Sequence, residues 1–208
     1  MRKILIPIFS IIFLTGLILL LTGVADRFDN AFMQFVTRTG TIDNKVLYTY
    51  FKFFTDIGEA PSVIVIVALF LIIPFTTKKI GITLTPIMLA SWGTNTLIKN
   101  IIERARPVER FLEVSSFSFP SGHSMNSTAL YMSLMILVLP LCKYKWQKVC
   151  LITLCFLFSI SICVSRLYFN VHFVSDVVCG YSMGWLFALV GTGVAEKIKE
   201  KIAIKKGE

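Results

Sequence analysis

The chain of 208 residues is short of charge: 16% of it is Asp, Glu, Lys or Arg, and only two residues are histidine. A soluble domain carries about 25% charged and about 45–50% apolar residues, whereas here 55% are hydrophobic and the mean hydropathy is +0.76. That shortage excludes a water-surrounded globule and leaves an integral membrane protein. Paired cysteines are missing as well. The five, at 142, 150, 155, 163 and 179, form no CxxC pair, have no histidine at ligand spacing and lie in or beside apolar runs, so they are expected as buried free thiols. Repeats and low-complexity stretches are absent, so residues 1–208 are expected to form a single domain.

What is there in quantity is apolar sequence long enough to cross a hydrocarbon layer of about 30 Å. Six such runs occur, at residues 4–24, 61–77, 80–102, 124–141, 149–164 and 173–195. The expected fold class is all-α, with six transmembrane helices. The first run follows Met1-Arg2-Lys3 as in a signal peptide, but it exceeds an h-region of about 7–15 residues and lacks a small-x-small cleavage site; it reads as a retained helix. Pro74 and Pro86 are tolerable kinks in membrane helices.

Six spans place both termini on one side of the membrane, and that side gathers twelve of the 21 basic residues: Arg2, Lys3, Lys78, Lys79, Lys143, Lys145, Lys148 and five lysines of the tail 196–208. Three acidic residues accompany them, against nine of each sign opposite. The positive-inside rule makes the basic side cytoplasmic and the other extracytoplasmic in a cell membrane. The net charge of +9 thus belongs to membrane edges and anionic lipid, not to nucleic acid. Between the first two runs, Phe28, Ala31, Phe32 and Phe35, then Val46, Leu47, Tyr50, Phe51, Phe54 and Ile57, recur at helical spacing on either side of Gly40. This extracytoplasmic loop is expected to be partly helical. Aromatic amphipathic helices lie in the headgroup plane, so it is either a membrane-surface clip or a lid that guides lipid.

Polar residues interrupt the apolar background in three clusters: Lys99 with Arg106-Pro107, Pro120-Ser121-Gly122-His123, and Ser165-Arg166 with His172 and Asp176. All three fall on the extracytoplasmic side of the expected topology. Ionisable residues beside hydrocarbon cost roughly 2.5–3.5 kcal/mol each on insertion scales, so they mark cavities with a function. Lys99 falls near the outer end of the third helix, where it either snorkels or binds an anion. Pro120-Ser121-Gly122 suits a helix start whose free N–H groups attract anions, with His123 at its mouth. His172 and Asp176, four apart, can share a helix face, the carboxylate fixing the imidazole tautomer. Arg166 offers a fork for phosphoryl oxygens. Arg104, Arg110, Glu103, Glu109 and Glu113 read as solvated loop charges.

The pattern K-x6-RP, PSGH and SR-x5-H-x3-D resembles the tripartite signature of the type 2 phosphatidic acid phosphatase superfamily, with every signature position present in order. The small size and the run Glu113-Val-Ser-Ser-Phe-Ser-Phe look most like bacterial phosphatidylglycerophosphatase B type enzymes. The resemblance implies that His172 attacks phosphorus and becomes phosphorylated, that Asp176 orients it, and that His123 protonates the leaving oxygen. Lys99, Arg106, Ser121, Gly122 and Arg166 would hold the phosphoryl oxygens. No metal or other cofactor is implied, because fixed cations take the place of Mg²⁺ and no carboxylate cluster could hold one. The expected partners are a membrane lipid phosphate (phosphatidylglycerophosphate, undecaprenyl diphosphate or phosphatidate) and the bilayer. The alternative is a transporter or scrambler of lipid headgroups, for which an oriented nucleophile and a proton donor have no use.

Overall fold

Each of the six apolar runs is a helix in the computed structural model, which describes residues 2–38, 41–72 and 76–206. In chain order the helices are α1 (Arg2–Leu21), α2 (Val24–Arg38), α3 (Lys45–Ile57), α4 (Ala60–Ile72), α5 (Thr76–Ile102), α6 (Gly122–Val138), α7 (Lys145–Tyr168) and α8 (Val174–Lys206). The protein is all-α and no strand occurs among the described residues. By length and apolarity α1, α6, α7 and α8 can each cross a bilayer, and the pair α3–α4, bent by 56°, makes a fifth candidate. α5 is 27 residues long but diluted by threonine, glycine and asparagine. The Gly40 separator and Pro74 lie outside the described residues.

Two boundaries differ from the sequence reading. The second span does not reach residue 77, because Thr76-Thr77 already belong to α5. The last helix does not end with its apolar run near Ala195 but continues to Lys206. Alternating Lys and Ile in that extension are compatible with helix, and Arg2 pairs with Glu196 to tie the N-terminus to it.

The core is built around α6, which has buried positions on every face and packs most extensively on α8, then on α7 and α5. Its sequence is rich in Ser, Thr and Ala rather than Leu, and such small residues let membrane helices approach closely. α8 supplies the complementary gaps: a Cβ on Gly180 would lie 2.7 Å from the Ser121 carbonyl oxygen, and one on Gly184 would lie 2.6 Å from Thr128 Cβ. Ser91 Oγ donates to Asn126 Oδ1 at 2.7 Å, and Thr128 and Ser159 hydroxyls meet at 3.0 Å, which binds α5 and α7 to the same helix. By contrast no residue of α1 is buried, as suits a helix facing lipid, and it leans on α8 through Phe9 stacked on Trp185 at 5.0 Å.

The loop after α1 is helical as expected. Asn44 caps α3 by accepting from Val46 and Leu47 N–H at 3.0 and 3.1 Å. The apolar face of α3 packs on α7, with Tyr50 and Phe54 in ring contact, Phe54 against Phe158, and Tyr50 Oη 2.8 Å from Ser161 Oγ. All five cysteines are free; Cys155, Cys163 and Cys179 are buried, while Cys142 is half-buried and Cys150 exposed.

Candidate active site

The three polar clusters converge at one end of the bundle, where the end of α5, the starts of α6 and α8, and the end of α7 meet. Between α5 and α6 the chain runs irregularly from Glu103 to Ser121 and is clasped onto the α7–α8 connection. Phe111 N donates to Phe169 O at 3.1 Å, Arg106 Nη1 to Val171 O at 2.7 Å, and Asn170 Nδ2 to Glu109 O. A cavity of about 240 Å³ opens there, lined by Lys99, Arg106, Gly122, His123, Arg166 and His172 together with Trp92, Asn95, Asn126 and Gly58. A larger groove of about 720 Å³ between α5 and α8 holds none of these and is almost wholly apolar in its lining.

Six of the eight expected site residues therefore share one cavity. The other two stand behind it. Ser121 is fully buried as the N-cap of α6; its Oγ accepts from Ser124 N–H at 3.4 Å and Ser124 Oγ at 2.9 Å. The hydroxyl thus caps the helix start, and its place among the phosphate ligands stays an expectation. Asp176, fully buried, lies on the far side of His172.

His172 is 1% exposed and precedes α8 by two residues, so the pair with Asp176 is not the single helix face expected. Asp176 instead closes the start of α8 by accepting from Phe173 N–H at 2.9 Å, the third-position carboxylate of a capping box. His172 Nδ1 lies 3.4 Å from both Asp176 Oδ2 and Ser118 Oγ, and Ser118 Oγ donates to Asp176 Oδ2 at 2.5 Å. On the other edge of the ring, Arg106 Nη1 is 3.1 Å from Nε2. A guanidinium can only donate, so Nε2 carries the lone pair, and the proton is assigned to Nδ1, facing the carboxylate. Burial drives the His172 pKa down to about 3; Asp176 opposes the shift, and Arg106 and Arg166 add to it. The imidazole is neutral at physiological pH.

Two of the cations, Lys99 and Arg106, are held by the backbone they overhang. Lys99 Nζ donates to Phe117 O and, at 3.4 Å, to Ser118 O. Arg106 spans Ser116 O at 2.6 Å and Phe117 O at 3.2 Å; burial lowers its pKa to about 10, which leaves it charged. Arg166 is 3% exposed, with Nη1 bonded to Thr55 of α3 and Nε buried without a partner. His123 Nε2 is likewise buried and unpartnered. Two orphaned polar atoms in a cavity rimmed by cations call for a ligand with several acceptor oxygens.

Arg104 overturns the reading of a solvated charge, although Glu103, Glu109, Arg110 and Glu113 are exposed as expected. Its side chain is 10% exposed and reaches Asp176 Oδ1 at 2.6 Å, Ser175 Oγ at 2.7 Å, Asp29 Oδ2 at 2.8 Å and Asp26 Oδ1 at 3.0 Å. Thr55 and Ser118 were also missed. A hydroxyl in a loop or an amphipathic helix gives no periodic signal, and only the fold brings these to Arg166 and His172.

Residues 80–199 match the PAP2 superfamily. A phosphatidylglycerophosphatase B of Bacillus subtilis (strain 168) is 39% identical over 119 residues, covering 54% of this chain and 59% of that protein. Sphingosine-1-phosphate phosphatase 1 of Rattus norvegicus is 26% identical over 145 residues, covering 67% of this chain and 33% of that protein. The chain thus spans less than two thirds of these relatives' lengths. A crystal structure of a transmembrane PAP2 type phosphatidylglycerolphosphate phosphatase from Bacillus subtilis superposes with a TM-score of 0.77 at 27% identity, over 91% of this chain and 96% of that one.

Proposed function

The chain belongs to the PAP2 superfamily, and from that premise we propose that it is a metal-independent membrane phosphatase that hydrolyses lipid phosphates through a phosphohistidine. The observation that carries the reading is the orientation of His172: a neutral imidazole with Nδ1 toward Asp176 and Nε2 toward the cavity where Lys99, Arg106 and Arg166 converge. Oriented nucleophile and fixed charge are the two things phosphoryl transfer requires.

A lipid phosphate enters with its anionic oxygens among the three cations and the N–H groups of the first turn of α6, which draws Arg106 away from Nε2. The Nε2 lone pair attacks phosphorus as the bond to the lipid oxygen breaks, and His123 gives its proton to that oxygen. Buried among cations with no carboxylate partner, His123 takes on this proton together with the anionic substrate. Water activated by the now neutral His123 then attacks phosphorus, releasing inorganic phosphate and restoring His172. Uncatalysed monoester hydrolysis is so slow that the site must supply on the order of 20 kcal/mol, and the covalent step divides the barrier.

The basic-residue distribution supports a cell membrane location with both termini cytoplasmic and the site extracytoplasmic. Phosphatidylglycerophosphate and undecaprenyl diphosphate are the leading substrates, with phosphatidate behind. The test is phosphate release by the purified protein from these three lipids in detergent, with EDTA present. Release that survives the chelator and is inhibited by vanadate is expected; no release from any lipid phosphate would favour headgroup transport, and loss restored by Mg²⁺ would sink the metal-free chemistry.

A further inference from the structure

Both Nη groups of the Arg104 guanidinium are engaged, and neither touches the cavity. One nitrogen serves Asp176 Oδ1 and Ser175 Oγ, the other serves Asp29 and Asp26 on α2, and Cζ lies 4.2 Å from the centre of the Phe173 ring. Asp29 is 2% exposed and also accepts from Ser175 N–H at 3.0 Å and Ser175 Oγ at 2.5 Å. Two almost fully buried carboxylates from distant helices thus share one cation, and one of them is the carboxylate facing His172 Nδ1.

We propose that Arg104 is a positioning residue for the nucleophile: it keeps Asp176 ionised and fixed, and through Asp29 it makes the reactivity of His172 depend on the docking of α2. The proposal rests on His172 being the nucleophile. Without the guanidinium, Asp176 and Asp29 would face each other across a dry space, and two buried carboxylates that close cannot both stay ionised. A proton on Asp176 turns an acceptor into a donor. His172 Nδ1 then loses its reason to carry hydrogen, the ring adopts the Nε2–H tautomer, and the lone pair aimed at the cavity disappears. Arg104 is not a phosphate ligand in this account, since both its Nη groups are engaged by Ser175, Asp176, Asp26 and Asp29 and it does not line the cavity.

A positioning role separates from a binding role in the kinetics. Substrate and vanadate meet Lys99, Arg106, Arg166 and the start of α6, none of which bonds Arg104, whereas the phosphorylation step depends on Nε2. Arg104→Gln should slow phosphoenzyme formation by about 10²-fold in rapid-quench experiments with labelled lipid phosphate, the scale of a misplaced catalytic group, while KM and vanadate inhibition change less than about threefold. Arg104→Lys, which keeps charge but cannot fork, should recover part of the rate, as should millimolar guanidinium added to Arg104→Ala. Asp29→Asn should lose less than Arg104→Gln, and the double variant should fall short of the product of the two losses, because both act on one network. Arg104→Lys and Asp29→Asn are mild enough to test the point even where Arg104→Gln does not fold. Wild-type phosphorylation rates in those variants, or KM and vanadate affinity weakening as much as the rate, would overturn the proposal. His172→Ala run alongside separates the layers: phosphoenzyme still accumulating there sinks the nucleophile assignment itself, whereas its absence together with a fast Arg104→Gln sinks only the role of Arg104.

Discussion

Two helix starts meet at the site and are treated in opposite ways. α8 begins in acid: Asp176 accepts from Phe173 N–H, Asp29 accepts from Ser175 N–H, and Arg104 balances both. α6 begins with one hydroxyl, the N-cap Ser121, and the N–H groups of Gly122 and His123 have no protein acceptor among the described residues. The positive end of a helix attracts anions wherever it is left open. In the proposed chemistry, filling one end from within and leaving the other bare directs the incoming phosphate to α6, beside His123. It also reserves the carboxylate at α8 for His172.

The largest test of this contrast is to remove the histidine at each start. His172→Ala should abolish both turnover and the acid-labile phosphoenzyme, whereas His123→Ala should retain phosphorylation and lose about 10²–10⁴-fold with a lipid leaving group, the range of general acid catalysis. With p-nitrophenolate, which leaves without a proton, the second loss should be much smaller. Phosphoenzyme in the His172→Ala protein and none in His123→Ala would reverse the two ends.

A smaller effect is expected at the cap. Ser121→Ala should lower stability by about 1 kcal/mol, the usual cost of a lost N-cap, while KM for the lipid phosphate stays within about threefold. A tenfold rise in KM with an unchanged denaturation midpoint would return the hydroxyl to the phosphate ligands. The smallest expected effect is no change. Because the His172 pKa is pushed down to about 3, the ring is already unprotonated at pH 5 and stays so to pH 8. Its ¹³Cε1 resonance in the detergent-solubilised protein should therefore be flat over that window, and a titration near 6.5 would break the assignment of Nδ1–H.

The sequence made the helices and the motif residues legible for the same reason: both are local. Apolar length marks a span, and a lysine, an arginine or a histidine amid apolar sequence stands out as a cost that must be met. Arg104 was read as solvent-facing because it sits among four other charges in a loop; its partners come from residues 26, 29 and 176. Asp29 lay on what sequence showed only as the polar face of a surface helix. Ser118, which sits between Asp176 and His172, is one of three serines in a short run, and nothing local distinguishes it from its neighbours. What escaped was the network around His172 and Asp176, made of contacts between distant segments.

In the proposed reaction, the bond from Arg106 to His172 Nε2 means that the nucleophile rests with its lone pair occupied. An arriving ligand must offer the guanidinium something better, and only an anion does so. A carboxylic ester or other uncharged electrophile of similar bulk would meet a blunted imidazole, while a phosphate monoester unlocks the group that attacks it. On the proposed mechanism, discrimination between chemical classes is thus set before any contact with the lipid tail, by the charge of the molecule rather than by its shape.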